Sequence, residues 1–276
     1  KGRGKLRKLL HGVNYMPNIS SQSIFDFSED YAKMHFTVAR THDQALNNAG
    51  QRIVDTHLIF SRFDADAEDE KNYFFDATDH LLQTTLKCGT QIYYRLGTSI
   101  EHTLDDHHFN TRVPADFQQY AKILSGIIRH YNYGWANGFH MNIPIWEIWN
   151  EADLGGKCWM GTREEFVDFF CTVLKYLKTE FPNETIGGPA LCGFHEDWLV
   201  PILERCKAEN IPLDFISWHA YWFEPAALIN ESFRMRELLD RYGFTETGIH
   251  LNEWHYLETW DGLSRNVNPE TFHEIM

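Results

Sequence analysis

The chain has 276 residues, 43% of them hydrophobic, and a formal net charge of −14. That length fits one barrel-sized domain of about 250 residues or two small domains of roughly 100–150, and we read 1–276 as a single domain. The acidic balance repels phosphate backbones and excludes nucleic acid as a partner; no apolar run approaches the ~18 residues of a membrane span, and no 20–50-residue repeat points to a solenoid or propeller.

In chain order, short apolar runs alternate with longer amphipathic ones. The opening KGRGKLRKLL is basic but lacks an apolar stretch long enough for a signal peptide. Leu9–Tyr15 and Phe36–Thr41 read as strands. The next apolar run, Ile53–Phe60, follows Thr41 after only 11 residues (42 to 52). A βα crossover needs about a dozen or more, so 53–60 reads as an excursion within a long βα loop. The acidic run from Asp64 to Glu70 reads as a solvated loop leading into a helix, since it lacks the glycine and the terminal glutamate of a calcium-binding EF-hand loop. Phe74–Lys87 places Phe75, Leu81, Leu82 and Leu86 at helical spacing. Gln91–Leu96 is a strand. The polar stretch from Glu101 to Asn110 is a loop; it holds His107-His108, the densest histidine cluster, but no HExxH occurs and no metal site is expected there. Asp116–His130 is helical, Ile143–Trp149 a strand. Thr162-Arg163-Glu164-Glu165 has the form of a capping box and opens a helix that runs through Glu180. Strands follow at Thr185–Gly188, Asp214–Trp218 and Gly248–Leu251, with helices at Trp198–Glu209 and Asn230–Tyr242.

Alternating strands and helices with short connections define a parallel α/β fold. An open doubly wound sheet usually carries a glycine-rich turn after its first strand. Here Met16-Pro17-Asn18-Ile19-Ser20 stands in that place, and Gly187-Gly188 runs into Pro189 rather than into a phosphate loop. No cofactor is expected. Polar and aromatic residues instead gather at the C-terminal ends of several strands, where (β/α)₈ TIM barrels place their chemistry. Only seven strands are counted, so the eighth strand and helix are expected beyond Met276, and the chain reads as C-terminally incomplete. The five cysteines (Cys88, Cys158, Cys171, Cys192, Cys206) are odd in number and form no CxxC pair. They read as buried free thiols, which favours a cytoplasmic location and leaves a secreted or periplasmic one open. The oligomeric state is not legible.

The strongest local signal is Ile145-Trp146-Glu147-Ile148-Trp149-Asn150-Glu151, an apolar strand ending in Asn-Glu. Strand alternation puts Glu147, Trp149 and Glu151 on one face and Trp146, Ile148 and Asn150 on the other, until the strand ends. A carboxyl group there beside Trp is partly desolvated, which raises its pKa toward that of a general acid. Ile249-His250-Leu251-Asn252-Glu253-Trp254-His255-Tyr256 repeats the pattern. Either motif alone suits a structural strand-end carboxylate; two at matching places suit acetal chemistry. Glycosidic cleavage needs one acid to protonate the leaving oxygen and a second carboxylate at the anomeric carbon. Sugar rings stack on aromatics, and Trp149, Trp159, Trp218, Tyr221, Trp222, Trp254 and Tyr256 cluster at strand ends. The competing use of large aromatics, filling a barrel core, applies to Trp146 and to about half of the others.

IWEIWNE, DFISWHAYW and HLNEWHYLE resemble the motifs of clan A glycoside hydrolases, above all family 39, which includes β-xylosidases and α-L-iduronidases. Val38-Ala39-Arg40-Thr41-His42-Asp43, Tyr93-Tyr94-Arg95-Leu96-Gly97 and the stretch from Phe60 to His80 also resemble that family, so the likeness runs from about residue 9 to 260. It implies a retaining, exo-acting, β-xylosidase-like enzyme with a carbohydrate substrate and no metal. Glu151 on the fourth strand matches the acid/base, and Glu253 on the seventh the nucleophile. Asn150 matches the residue that bonds the sugar 2-OH. His219 matches a sugar-binding histidine and Tyr221 a tyrosine that bonds the nucleophile. Arg40 matches a carboxylate-supporting arginine and His42 a sugar-contacting histidine; Trp254, one of the strand-end aromatics, is expected to bind substrate by stacking. The clan usually has Asn-Glu-Pro, where Ala152 stands here. Retention implies carboxyl groups about 5–5.5 Å apart. The alternatives are a barrel that binds carbohydrate without cleaving it, a clan A enzyme for iduronides, arabinosides or glucosides, and a metal-dependent α/β hydrolase using the histidines.

Overall fold

The computed structural model describes residues 11–17, 25–42, 53–101, 109–222 and 224–257. Among them, seven strands form one sheet: β1 Gly12–Asn14, β2 Val38–Arg40, β3 Gln91–Leu96, β4 Ile145–Ile148, β5 Ile186–Leu191, β6 Phe215–Trp222 and β7 Gly248–Tyr256. Their spatial order is their sequence order, and every neighbouring pair is parallel. The sheet curls until its two ends meet, for Asn14 Nδ2 on β1 donates to the Asn252 carbonyl on β7 at 3.1 Å. The result is a nearly closed barrel of the (β/α)₈ kind, one βα unit short among the described residues.

The helices are α1 Ser28–Lys33, α2 Thr56–Ile59, α3 Asp76–Lys87, α4 Phe117–Tyr133, α5 Arg163–Glu180, α6 Glu196–Glu209 and α7 Pro225–Tyr242. Their apolar stripes cover the outer face of the sheet. On α5, Phe166, Phe169, Phe170, Val173, Leu174 and Leu177 are fully buried, at the i, i+3, i+4 spacing that one helix face provides. The capping box forms as the sequence implies: the Thr162 side chain accepts from Glu165 N at 3.1 Å, and Glu165 Oε2 accepts from Thr162 N at 2.7 Å. Gly134 ends α4 in the left-handed conformation, at φ 75°, which a residue without Cβ adopts freely.

Residues 53–60 contain α2 rather than a barrel strand, and β2 pairs directly with β3. Asp55 pins this excursion: its carboxylate accepts from Arg95 Nη2 at 3.0 Å, Ser99 N at 2.9 Å and Ser99 Oγ at 2.7 Å. The acidic run lies in largely exposed turns, tied down where Glu68 accepts from Arg129 at 2.9 Å. All five cysteines are free; Cys158, Cys171 and Cys206 are buried and Cys88 and Cys192 half-buried. His107-His108 lies outside the described residues. No described helix is long and apolar enough to cross a membrane.

Three strands run past their expected ends, β5 among them, which reaches Leu191. β6 continues to Trp222 and β7 to Tyr256. These last two extensions bring the polar side chains His219, Tyr221, Asn252 and Glu253 to the barrel mouth, because the barrel interior changes character along its axis. Val38, Ile145, Tyr93 and Phe215 close it with an apolar floor. Above that floor the inward side chains are charged.

Candidate active site

β4 stops at Ile148, and the backbone turns through positive φ at Trp149 (73°) and Glu151 (48°). Alternation therefore fails at the strand end. Glu147 points into the barrel. Trp149 does not share its face: it swings out against Tyr120, Trp159 and Phe169, with ring centroids at 6.2, 5.3 and 5.2 Å, and its Nε1 donates to the Cys158 carbonyl at 3.0 Å. Asn150 and Glu151 both turn into the mouth instead of opposing each other.

β7 makes a comparable adjustment. The register with β6 shifts after Trp218↔Leu251, so that His219 pairs with Glu253 and Asn252 is the extra residue. A bulge lets two consecutive side chains face one way. Asn252 Nδ2 reaches Glu147 Oε1 at 2.5 Å and the Tyr93 hydroxyl at 3.2 Å, while Glu253 faces the mouth. There the Tyr221 hydroxyl donates to Glu253 Oε1. His42 Nε2 lies 3.3 Å and Arg40 Nη1 3.5 Å from Glu253 Oε2.

The two candidate carboxylates meet across His219, a fully buried side chain. Its Nδ1 lies 2.7 Å from Glu151 Oε1 and 3.5 Å from Glu253 Oε2. One oxygen of Glu151 lies within 4.8 Å of one of Glu253. That close approach suits the shorter spacing of the retaining class better than the ~6.5–9.5 Å that seats a water between sugar and base. Asn150 Oδ1 accepts from Arg40 Nη2 at 2.7 Å, whereas its buried Nδ2 has no partner among the described residues. A buried amide donor left unpaired costs about 1–3 kcal/mol, a cost that a ligand hydroxyl removes. Of the residues singled out by sequence, Arg40, His42, Asn150, Glu151, His219, Tyr221 and Glu253 converge here. Trp254 is 62% exposed, and none of its described contacts involves these side chains.

Beneath the pair sits Glu147, fully buried, which the sequence reading passed over. Its Oε2 accepts from Arg40 Nε at 2.6 Å, and its Oε1 from Ser217 Oγ at 2.6 Å, Tyr93 OH at 3.2 Å and Asn252 Nδ2. Burial alone would push this carboxyl pKa up; Arg40 and the Ser217 hydrogen bond outweigh it and hold it below the usual carboxylate value. Burial likewise opposes the Arg40 charge, and Glu147 and Glu253 reverse that, so its pKa stands above the arginine norm. Burial, then the bond to Glu253, pushes the Tyr221 phenol up, which keeps it a neutral donor. The signal for Glu147 was its charge inside an otherwise apolar strand.

Two carboxylates converging at the C-terminal ends of β4 and β7 of a parallel barrel form an arrangement that glycosidic-bond hydrolysis can use. The chain belongs to the glycosyl hydrolases family 39, whose family model matches residues 30–254. It is 22% identical over 248 residues to a β-xylosidase of Geobacillus stearothermophilus, covering 80% of this chain and 47% of that protein. It is 24% identical over 145 residues to a β-xylosidase of Caldicellulosiruptor saccharolyticus, covering 52% and 29%. The chain thus spans about half the length, or less, of these curated relatives. Among solved structures it resembles a glucosidase from Croceicoccus marinus (TM-score 0.78, 24% identity, 91% of this chain and 53% of that one) and a GH39 β-xylosidase from Caulobacter crescentus (TM-score 0.67, 19% identity, 94% and 56%). These structural likenesses establish the shared barrel.

Proposed function

We propose that this chain carries the catalytic centre of a retaining glycoside hydrolase acting on β-xyloside-like substrates. The observation that carries the reading is the approach of Glu151 and Glu253 to within 4.8 Å around His219. In the first step a Glu253 oxygen bonds the anomeric carbon while Glu151 gives its proton to the departing glycosidic oxygen. In the second, Glu151 takes a proton from water, whose oxygen displaces Glu253. Tyr221, Arg40 and His42 hold the nucleophile in one orientation, and Asn150 Nδ2 offers its free hydrogen bond to a sugar hydroxyl. The xyloside preference rests on the named relatives, and a glucosidase among the similar structures makes glucosides the competing substrate.

The test is a panel of aryl xylosides, glucosides and arabinosides assayed with wild type, Glu151→Ala and Glu253→Ala. An aryl leaving group departs without protonation, so Glu151→Ala should glycosylate and then stall for want of a base. Azide needs no base and should rescue it with retained configuration. On Glu253→Ala, azide should give the inverted product. Swapped stereochemistry reverses the two roles. Carbohydrate binding without turnover of any glycoside by the wild type refutes the hydrolase reading.

A further inference from the structure

A second cluster of chemically potent side chains adjoins the carboxylate pair without including either carboxylate. Asp153 sits in the short helical turn Ala152–Leu154 that follows Glu151, with its side chain fully buried. Cys192 is the first residue past β5, and His195 immediately precedes α6. Asp153 gathers them: Oδ1 accepts from Cys192 N at 2.9 Å, and Oδ2 faces His195 Nδ1 at 2.6 Å. A carboxylate oxygen, the Cys192 sulfur and a His195 ring nitrogen all lie within 4.8 Å of one another. Gly193 stands between the latter two, and a Cβ there would meet the His195 ring at 3.0 Å. The absence of that Cβ lets the imidazole fold back over the loop.

We propose that Asp153, Cys192 and His195 form a binding site for one divalent transition-metal ion of the zinc class, held by a carboxylate oxygen, a thiolate and an imidazole nitrogen. Ligand chemistry selects the ion. Sulfur and imidazole favour zinc-like metals over magnesium and calcium, which take oxygen. Two anionic ligands neutralise a dication. Zinc holds sulfur at about 2.3 Å and nitrogen or oxygen at about 2.0–2.2 Å, which sets tetrahedral donors roughly 3.4–3.6 Å apart. The cluster reaches that by opening its 2.6 Å Asp153–His195 contact, its donors all lying within 4.8 Å of one another. The His195 side chain is 44% exposed and free to adjust, and its open side leaves a fourth position to water.

Binding replaces protons. A cysteine without metal carries its thiol proton at neutral pH. The ion takes its place, forming the metal–sulfur bond and releasing one proton, and a second when His195 starts as imidazolium. Because Asp153 lies two residues beyond Glu151, the bound ion ties the loop after β4 to the loop after β5. The proposal is independent of the hydrolase reading, since its test reads the metal and not turnover.

The experiment titrates chelator-treated protein with Co²⁺ and then with Zn²⁺. Wild type should bind one equivalent, with the near-ultraviolet charge-transfer absorption of a cobalt–thiolate bond. Cys192→Ser should lose that absorption and Cys88→Ser should keep it. His195→Ala should weaken zinc binding, read by competition with a chromophoric chelator, by at least the roughly 10–100-fold that loss of a mere outer-shell partner costs. Circular dichroism confirms that each variant is folded. Absence of the absorption in wild type, its persistence in Cys192→Ser, or equal zinc affinity in wild type and His195→Ala would overturn the proposal.

Discussion

Replacing Glu147 by glutamine tests the charge network that supports the site. The substitution keeps the shape and removes the charge. Arg40 is 3% exposed and gives its Nε to Glu147 at 2.6 Å. With a neutral amide in place of that carboxylate, the guanidinium keeps, among the described residues, Asn150, Asn14 and Glu253 at 3.5 Å. The new amide nitrogen must also face donors, either Arg40 or the trio of Ser217, Tyr93 and Asn252. Removing one partner of a buried ion pair costs about 3–5 kcal/mol, against a total stability of about 5–15 kcal/mol. In urea, with a slope of about 3 kcal/mol per M, the midpoint should fall by roughly 1–1.7 M. The pH dependence has a definite sign. Glu147 is held below its unfolded pKa, so its contribution is present above that value and lost as pH falls through the folded one. Wild type should therefore lose stability on acidification that Glu147→Gln never had. A midpoint shift below ~0.3 M at unchanged slope, with the same acid dependence in both proteins, would refute the reasoning.

Tyr221→Phe removes the hydroxyl that donates to Glu253; a hydrogen bond to a charged group contributes about 1.5–3 kcal/mol, so kcat/KM on an aryl glycoside should fall about 10–100-fold with the fold intact. Trp149→Ala empties a fully enclosed site against Tyr120, Trp159 and Phe169 and should cost about 3–5 kcal/mol in chemical denaturation. Thr162→Ala breaks the capping box of α5, for an expected loss of about 1 kcal/mol and a matching fall in Tm; an unchanged Tm would show that packing of α5 alone fixes its start.

The sequence by itself determined the layered plan. Strand and helix periods differ, and the apolar runs at Gln91–Leu96 and along α5 leave one solution for each. Crossover length alone disqualified 53–60 as a barrel strand, and the repeated Asn-Glu endings marked Glu151 and Glu253. What the tertiary structure decided lies at the strand ends. Period-2 alternation predicts a side chain's face only while the backbone stays extended. The left-handed turns at Trp149 and Glu151 and the bulge at Asn252 break it. They send Trp149 outward and bring Asn150, Glu151, Asn252 and Glu253 inward together. Glu147 shows the limit most clearly. On the strand it is one acid among apolar neighbours, and no local rule separates a solvated charge from a buried one. Its Arg40, Tyr93, Ser217 and Asn252 partners come from β2, β3, β6 and β7, separated by up to 107 positions. Only closure of the barrel brings them within hydrogen-bonding distance, and only that proximity makes burial of the charge affordable in free energy.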